Sequence, residues 1–334
     1  MMFLNKLLAS DLFLHLGAML KQFSFTMRNR TLKLLVLAIL SFSLVSACNG
    51  NSSHNASSTA NCRSIQHEMG ETCVPPKPKR IVVVSGTEIE PVVALGVTPV
   101  GASIRSAPDF MKERLEGVKD IGWPEANLET ILSLKPDVIL STKGSAGQIY
   151  DQLSQIAPTV LVKGGSGNWK TRFQVIAKIL GKTEQAERLM SEYKERTKQL
   201  EAQLGEEPQN RPEVSVVNVR VGRIIIYLKD TFCGLVLQDA GVPRPSHQDK
   251  KGGFMEISLE GLEAVEGDAM FLWTYGAGGE ESALAELKAQ PLWSKLDVVQ
   301  RDRVYEVPEY WIGSGPISAN LILDDLFQYL VEKS

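Results

Sequence analysis

The sequence predicts an α/β fold built as two similar halves joined by one long helix, and three observations carry that reading. Continuous β-branched runs alternate with short helical stretches on both sides of the middle, the pattern of parallel βα units. The middle itself, TEQAERLMSEYKERTKQLEAQL, holds no Pro or Gly. The chain of 334 residues is long enough for two domains of ordinary size.

The first 47 residues are read as a leader that is removed. LLVLAILSFSLVSACNG follows Arg28, Arg30 and Lys33 and gives way to NGNSSHNASSTAN. Its apolar part falls short of the roughly 20 residues a bilayer crossing needs; basic, then apolar, then small residues is a secretory signal. Met27, followed by RNRTLK, would open a sufficient signal by itself, so residues 1–26 are either an over-long start or a longer leader. Val45-Ser46-Ala47-Cys48 resembles the bacterial lipobox, in which cleavage leaves a lipidated cysteine as the new N-terminus. An anchor of two or more chains would hold the protein stably at a membrane. Residues 48–61 are Ser/Asn-rich and read as a flexible spacer.

The first half is expected over 62–182. Cys62 and Cys73 bracket RSIQHEMGET; in an oxidising compartment a disulfide is the preferred reading over two free thiols. RIVVVSG is a strand buried on both faces, EIEPVVALG a short helix closed by Gly96, and TPVGAS a second strand. NLETILSLKPDVILST and AGQIYDQLSQIAPTVLV repeat the helix-then-strand step. The connecting helix is expected over 183–205, with Ala186, Leu189, Met190, Tyr193, Leu200 and Leu204 on one stripe. In the second half, 206–334, VSVVNV, RIIIYL, AMFLW and VVQRDRVYEV read as strands, FCGLVLQDAG as a helix that buries Cys233, and the chain closes on a helix from Pro316.

Taken as a set, KRIVVVSGTEIEPVVALGVTPVGAS, NLETILSLKPDVIL, ISLEGLEAVEGDAMFL, PLWSKLDVVQRDRVYEVPEYW and GPISANLILDDL resemble the solute-binding proteins of iron–siderophore ABC importers over nearly all of 62–334. The resemblance implies two Rossmann-like lobes, each a mainly parallel sheet flanked by helices, joined by a single long α-helix. It implies an extracytoplasmic lipoprotein, facing the periplasm or the exterior, that captures a ferric siderophore between its lobes. The partners it implies are an ABC permease with its ATPase, with Glu129 and Glu260 as the acids that meet permease arginines; Glu125 or Glu263 could substitute. Members of this class also take cobalamin, haem, zinc or manganese, and cobalamin or haem stays open as the ligand. No resident cofactor is expected, because the chelate already satisfies the iron. The expected state is a monomer. Asn218 stands where relatives tend to place an arginine, which argues against a very highly charged ligand.

Ligands of open α/β sheets bind beyond the carboxyl ends of the strands. Those ends give Thr87, Arg105, Lys143, Arg220, Trp273, Tyr310 and Trp311 as ligand candidates, with Trp311 foremost. Tyr227 ends a β-branched run and suits either core or cleft. Guanidinium forks match chelate oxygens, and Trp and Tyr offer flat apolar contact with a polar tip. Arg223 reads as solvent-facing in a hairpin, and Trp123 and Trp293 as structural.

Other functions fit less well. A net charge of −3 and a pI near 5.9 give no nucleic-acid footprint. A bare-metal site needs converging ligands, yet only His67, in the disulfide loop, and His247, in a polar loop, lie in the folded body, and neither is expected at a strand end. There is no GxSxG elbow, P-loop, GxGxxG or HExxH, so no enzyme is expected. The acidic pairs Glu88/Glu90 and Asp324/Asp325 read as solvated helix faces. A continuous hinge helix predicts little lobe closure on binding.

Overall fold

The computed structural model describes residues 62–274 and 280–332. The expected leader (1–47), lipidated Cys48 and the spacer to residue 61 lie outside the described residues.

The body opens with a hairpin, β1 (Arg63–His67) and β2 (Gly70–Val74), stapled by a Cys62–Cys73 disulfide. The first lobe continues through β3 (Ile81–Val83), α1 (Gly86–Ala94), β4 (Gly101–Ala102), β5 (Lys119–Asp120) and α2 (Leu128–Ser133). It closes with β6 (Val138–Thr142), α3 (Lys143–Ala146), α4 (Tyr150–Ile156), β7 (Thr159–Val162) and α5 (Trp169–Leu180). Its five strands pair in the order β5-β4-β3-β6-β7, all parallel. Alternation along the strands splits the core. Ile81, Val83, Leu140 and Val160 pack with Ile89, Val92, Phe173 and Ile176 of α1 and α5; Val82, Ile139 and Leu161 pack on the other face with Ile131 and Leu153 of α2 and α4. A parallel sheet covered on both faces needs such unbroken apolar strands.

The stapled hairpin lies against β7, the outer strand of that sheet. Glu68 N donates to Leu161 O at 3.1 Å and Thr72 Oγ1 to Thr159 O at 3.1 Å. An otherwise open sheet edge is thereby covered.

Helix α6 (Thr183–Gln203) follows α5 through Gly181, whose φ of +68° caps α5 and whose Cβ, if present, would lie 2.6 Å from Pro76 O. Only glycine suits both demands. At 1.5 Å per residue α6 is roughly 32 Å long. Its first turns pack Ala186, Leu189 and Met190 into the first lobe. Tyr193 and Leu200 then enter the second core, where the Tyr193 hydroxyl donates to Asp239 Oδ2 at 2.7 Å. Arg196 adds a hydrogen bond to Asn320 Oδ1 at 2.7 Å. The rod is bolted into both lobes, with no free span between them.

The second lobe runs β8 (Val214–Arg220), β9 (Arg223–Tyr227), α7 (Phe232–Asp239), β10 (Phe254–Ile257), β11 (Ala269–Thr274), α8 (Glu280–Lys288), α9 (Asp297–Gln300), β12 (Val304–Glu306) and α10 (Pro316–Leu330). Its sheet order is β10-β9-β8-β11-β12. This sheet is mixed: β8 pairs parallel with β11, and β11 with β12, while the β8–β9 and β9–β10 pairings are antiparallel. Val214, Val216, Phe271 and Trp273 face α7 and α10; Val217, Val219, Met270 and Leu272 face α8. Cys233 is buried in α7, as its apolar spacing predicts.

A buried polar cluster joins the lobes. Glu90 of α1 is 1% exposed and reaches the start of α10. Its carboxylate accepts from Ser314 N (2.9 Å), Ser318 N (2.7 Å), Ser314 Oγ (3.2 Å) and Ser318 Oγ (2.8 Å). The first backbone N–H groups of a helix have no partner within it, and an anion there also meets the positive end of the helix dipole. Beside it, Arg172 of α5 lies 3.7 Å from Glu88 and donates to Gly165 O and Ser314 O. The acidic pair Glu88/Glu90 is therefore no solvated face. Both carboxylates are buried beside partners about 80 and 225 residues further along the chain: Glu90 is fully hydrogen-bonded, whereas Glu88 has the Arg172 charge at 3.7 Å and a bond from Thr87, and its Oε2 has no hydrogen-bond partner among the described residues.

Candidate functional site

The carboxyl ends of the first sheet converge on one edge. β3 runs into Ser85, Gly86 and Thr87 at the start of α1, and β4 into Ser103, Arg105 and Ser106. The two turns are held by Ser103 Oγ donating to Val84 O at 2.8 Å, and Ser106 Oγ to Ser103 O at 2.8 Å. A Cβ on Gly86 would fall 2.4 Å from Ser106 O, so this approach requires glycine. β6 delivers Lys143 and Ser145, with Thr142 Oγ1 accepting from Ser145 N to cap α3.

Opposite stands the turn 309–314 of the second lobe. A cavity of about 270 Å³ lies between, lined by Ser85, Thr87, Ser106 and Ser145 from one side and Glu309 and Ser314 from the other. Its polar groups are the hydroxyls of four serines and Thr87 with the Glu309 carboxyl, set among a larger apolar share to which Pro108 and Ile312 contribute. Glu309 accepts a hydrogen bond from the Asp109 backbone across the gap, and burial, with the nearby Asp109 charge, holds its carboxyl above the usual range. Phe110 meets Tyr310 edge-on at 6.1 Å beside it.

The expected ligand residues divide. Thr87 lines the cavity, exposed, its hydroxyl donating to Glu88 Oε1 at 2.9 Å. Arg105 is adjacent to Ser106, with its side chain 73% exposed and 3.7 Å from Asp120. Lys143 is exposed two residues from Ser145. In the second lobe Arg220 ends β8 half-buried, with its Nε donating to Asn218 Oδ1 at 2.8 Å. Tyr227, also half-buried, stacks obliquely against Trp273 at 4.9 Å. Arg223, across the hairpin, pairs with Glu256 at 2.6 Å.

Three aromatic expectations need correction. Trp311 is wholly buried, with its Nε1 donating to Asp325 Oδ2 at 2.8 Å and its ring stacked 4.5 Å from Phe271. It is a core residue, because α10 supplies the carboxylate that an indole after a strand otherwise lacks. Trp273 is 2% exposed between Tyr227 and Trp311, so it floors the second-lobe surface rather than lining it. Tyr310 is tied to the same Asp325 at 2.8 Å, leaving only its ring near the cleft. Trp123 departs the other way. It is 53% exposed beyond the carboxyl end of β5, before a cis Pro124, and joins Arg105 and Lys143 as a residue displayed on that edge. Its signal was position: strand KD, then GWP.

Glu129, in the first turn of α2, and Glu260, in the first turn of the helical segment Leu259–Val265, are both exposed. Ser258 donates to Glu260 and lowers its carboxyl from the ordinary range. Glu88, under the cavity, behaves oppositely: desolvation raises its carboxyl despite Ser85, Arg172 and Thr87. A raised native value means the stabilising contribution is complete below the unfolded value of about 4.5 and is lost as pH climbs through the native one. Glu88→Gln is therefore expected to match the parent near pH 4 and to gain on the order of 1 kcal/mol at pH 7, with Glu90 still facing Arg172. Thermal unfolding of both proteins from pH 4 to 8 checks this; a variant less stable at pH 7 than at pH 4, relative to the parent, would contradict it.

Comparison with known proteins gives a consistent picture. The family model for periplasmic binding protein matches residues 81–311. The chain is 33% identical to the "Probable siderophore-binding lipoprotein YfiY" of Bacillus subtilis (strain 168), covering 90% of this chain and 98% of that one. It is 30% identical to the "Fe(3+)-citrate-binding protein YfmC" of the same organism, covering 90% and 99%. Among solved structures, Staphylococcus aureus SirA complexed with staphyloferrin B superposes with a TM-score of 0.71 at 29% identity, covering 80% of this chain and 98% of that one.

Proposed function

The chain belongs to the periplasmic binding protein family, and on that premise we propose that it is the substrate-binding lipoprotein of an ABC importer, capturing a ferric siderophore between its lobes and delivering it to a permease. The observation that carries the reading is the cavity between Ser85, Thr87, Ser106 and Ser145 of one lobe and Glu309 and Ser314 of the other. It opens where the carboxyl ends of the first sheet face the second lobe, the position at which such sheets bind ligands.

In this reading Arg105, Lys143 and Arg220 supply cationic donors to chelate oxygens, Thr87 a hydroxyl, and Tyr227 and Trp123 flat apolar contact. The side chains grip the organic shell and never the iron, so no resident cofactor is required and no reaction is catalysed. Cys48 carries the lipid that holds the exported protein at the membrane, and the protein acts as a monomer. Glu129 and Glu260, one exposed acid on each lobe, are the contacts offered to a permease. The relatives' printed names, a siderophore-binding lipoprotein and a ferric-citrate-binding protein, agree with an oxygen-rich ferric ligand.

The test is quenching of tryptophan fluorescence by ferric citrate, ferric hydroxamates, ferric catecholates, their iron-free forms, cobalamin, haem and zinc. Saturable quenching by a ferric chelate and not by its iron-free form is expected. Tight response confined to cobalamin, haem or zinc would overturn the reading. Because α6 is packed into both cores and Glu90 ties α1 to α10, small-angle scattering should show less than about 1 Å change in radius of gyration on saturation, within the range of pre-organised binders. A marked contraction would contradict the rigid rod.

A further inference from the structure

Glu309 is the one ionisable side chain among the described residues that line the cavity between the lobes; no lysine, arginine or histidine joins it in that lining. The turn that carries it is firmly held. The next two residues, Tyr310 and Trp311, are both tied to Asp325 of α10 at 2.8 Å, and a Cβ on Gly313 would fall 2.1 Å from Ser318 Cβ. Packing thus fixes where this carboxyl stands. Its Oε1 accepts from the Asp109 backbone N–H, and it makes no other hydrogen bond among the described residues.

The surrounding charges leave the acid uncompensated. Lys112 acts on it from the first lobe but is paired with Asp109, a second carboxylate. Arg172, buried behind the cavity wall, faces Glu88 and Glu90. Arg105 and Lys143 are exposed beside the cavity and absent from its lining. Burial first, then the Asp109 charge, holds the Glu309 carboxyl above its ordinary range, the condition of an acid that gains when a cation arrives.

We propose that Glu309 determines the ligand class: the cavity takes a ferric chelate whose organic shell carries a protonated amine, and the Glu309 carboxylate accepts a hydrogen bond from that ammonium while the chelate's anionic oxygens turn toward Arg105 and Lys143. This rests on the cavity being the capture site and narrows what it captures. A hydroxyl donor could fill the same bond, but only a cation also relieves the charge left on a partly desolvated acid. A polyanion without an amine would bring like charge against Glu309, which selects against it.

The test compares two probes with the same iron shell. Ferrioxamine B, a linear ferric tris-hydroxamate ending in a primary ammonium, and its N-acetylated form are titrated into the intact protein by calorimetry. The parent should bind the ammonium form about tenfold more tightly, the worth of one charge-assisted hydrogen bond at a half-exposed site. That ratio should fall to about one in Glu309→Gln, which keeps an acceptor for Asp109 N–H, and likewise in Glu309→Ala. Ser145→Ala, elsewhere in the same lining, should keep the ratio whatever it does to overall affinity. A parent with no preference for the ammonium form, a preference that survives both Glu309 variants, or one equally lost in Ser145→Ala would overturn the proposal. Binding of ferric citrate with neither hydroxamate bound would also overturn it and leave ferric-chelate capture standing. Failure of every ferric chelate to bind would instead overturn the capture reading and the proposal with it.

Discussion

Arg220→Ala should weaken ferric-chelate binding by about 10- to 100-fold, the range for removing a charge-assisted bond that is sheltered from water. The half-buried setting of Arg220 sets the size of this effect. Arg105 is 73% exposed and shares its charge with Asp120, so solvent screens it and its removal should cost only a few-fold. Arg220 is held by a buried partner and lies on the sheet rather than on a loop, so it loses little freedom when a ligand arrives. Arg220→Lys is expected to recover only part of the loss, because an ammonium cannot reproduce a planar fork. Isothermal titration of the three proteins with the best chelate from the quenching panel measures both effects. Equal affinities for the parent and Arg220→Ala would remove Arg220 from the site.

Glu90→Ala should destabilise the fold by about 3–5 kcal/mol, the usual cost of deleting one partner from a buried charged cluster. The loss has two origins. Ser314 N and Ser318 N are left without acceptors inside the protein, each a desolvated donor. Arg172 also loses one of its two carboxylate neighbours. Glu90→Gln keeps an acceptor for one backbone N–H and should cost about half as much. Denaturant unfolding followed by circular dichroism provides the comparison; a midpoint unchanged in Glu90→Ala would show that the lobes are held by other contacts alone.

Much of this architecture is legible in the sequence because it depends on neighbours in the chain. The runs RIVVV and VILST become β3 and β6, and the stripe Ala186, Tyr193, Leu200 becomes the buried side of α6. The β8–β9 hairpin follows from VRVGRI, and Cys62 and Cys73 pair as expected for an exported protein in an oxidising compartment. The aromatic part of the site was not legible. An exposed indole after a strand is odd without a partner, which points Trp311 at a ligand; Asp325, on the following helix, is the partner it finds. The acids at 88 and 90 looked like a wet helix face because their partners, Arg172, Ser314 and Ser318, come from other elements. Asn218 could be read as a departure from a pattern, but its bond to Trp273 O exists only once β8 and β11 are neighbours. Local periodicity reports which side of an element is apolar; it does not report which polar group will find a mate.

The stapled hairpin at residues 62–74 has a mechanical consequence. Any pull arriving along the chain from upstream reaches Cys62 and can cross the sulfur bridge straight to Cys73. The intervening strands are bypassed and carry no load, so the bonds from Glu68 and Thr72 to the outer strand stay relaxed under tension. A body pulled from its N-terminal side would keep its sheet margin shielded throughout.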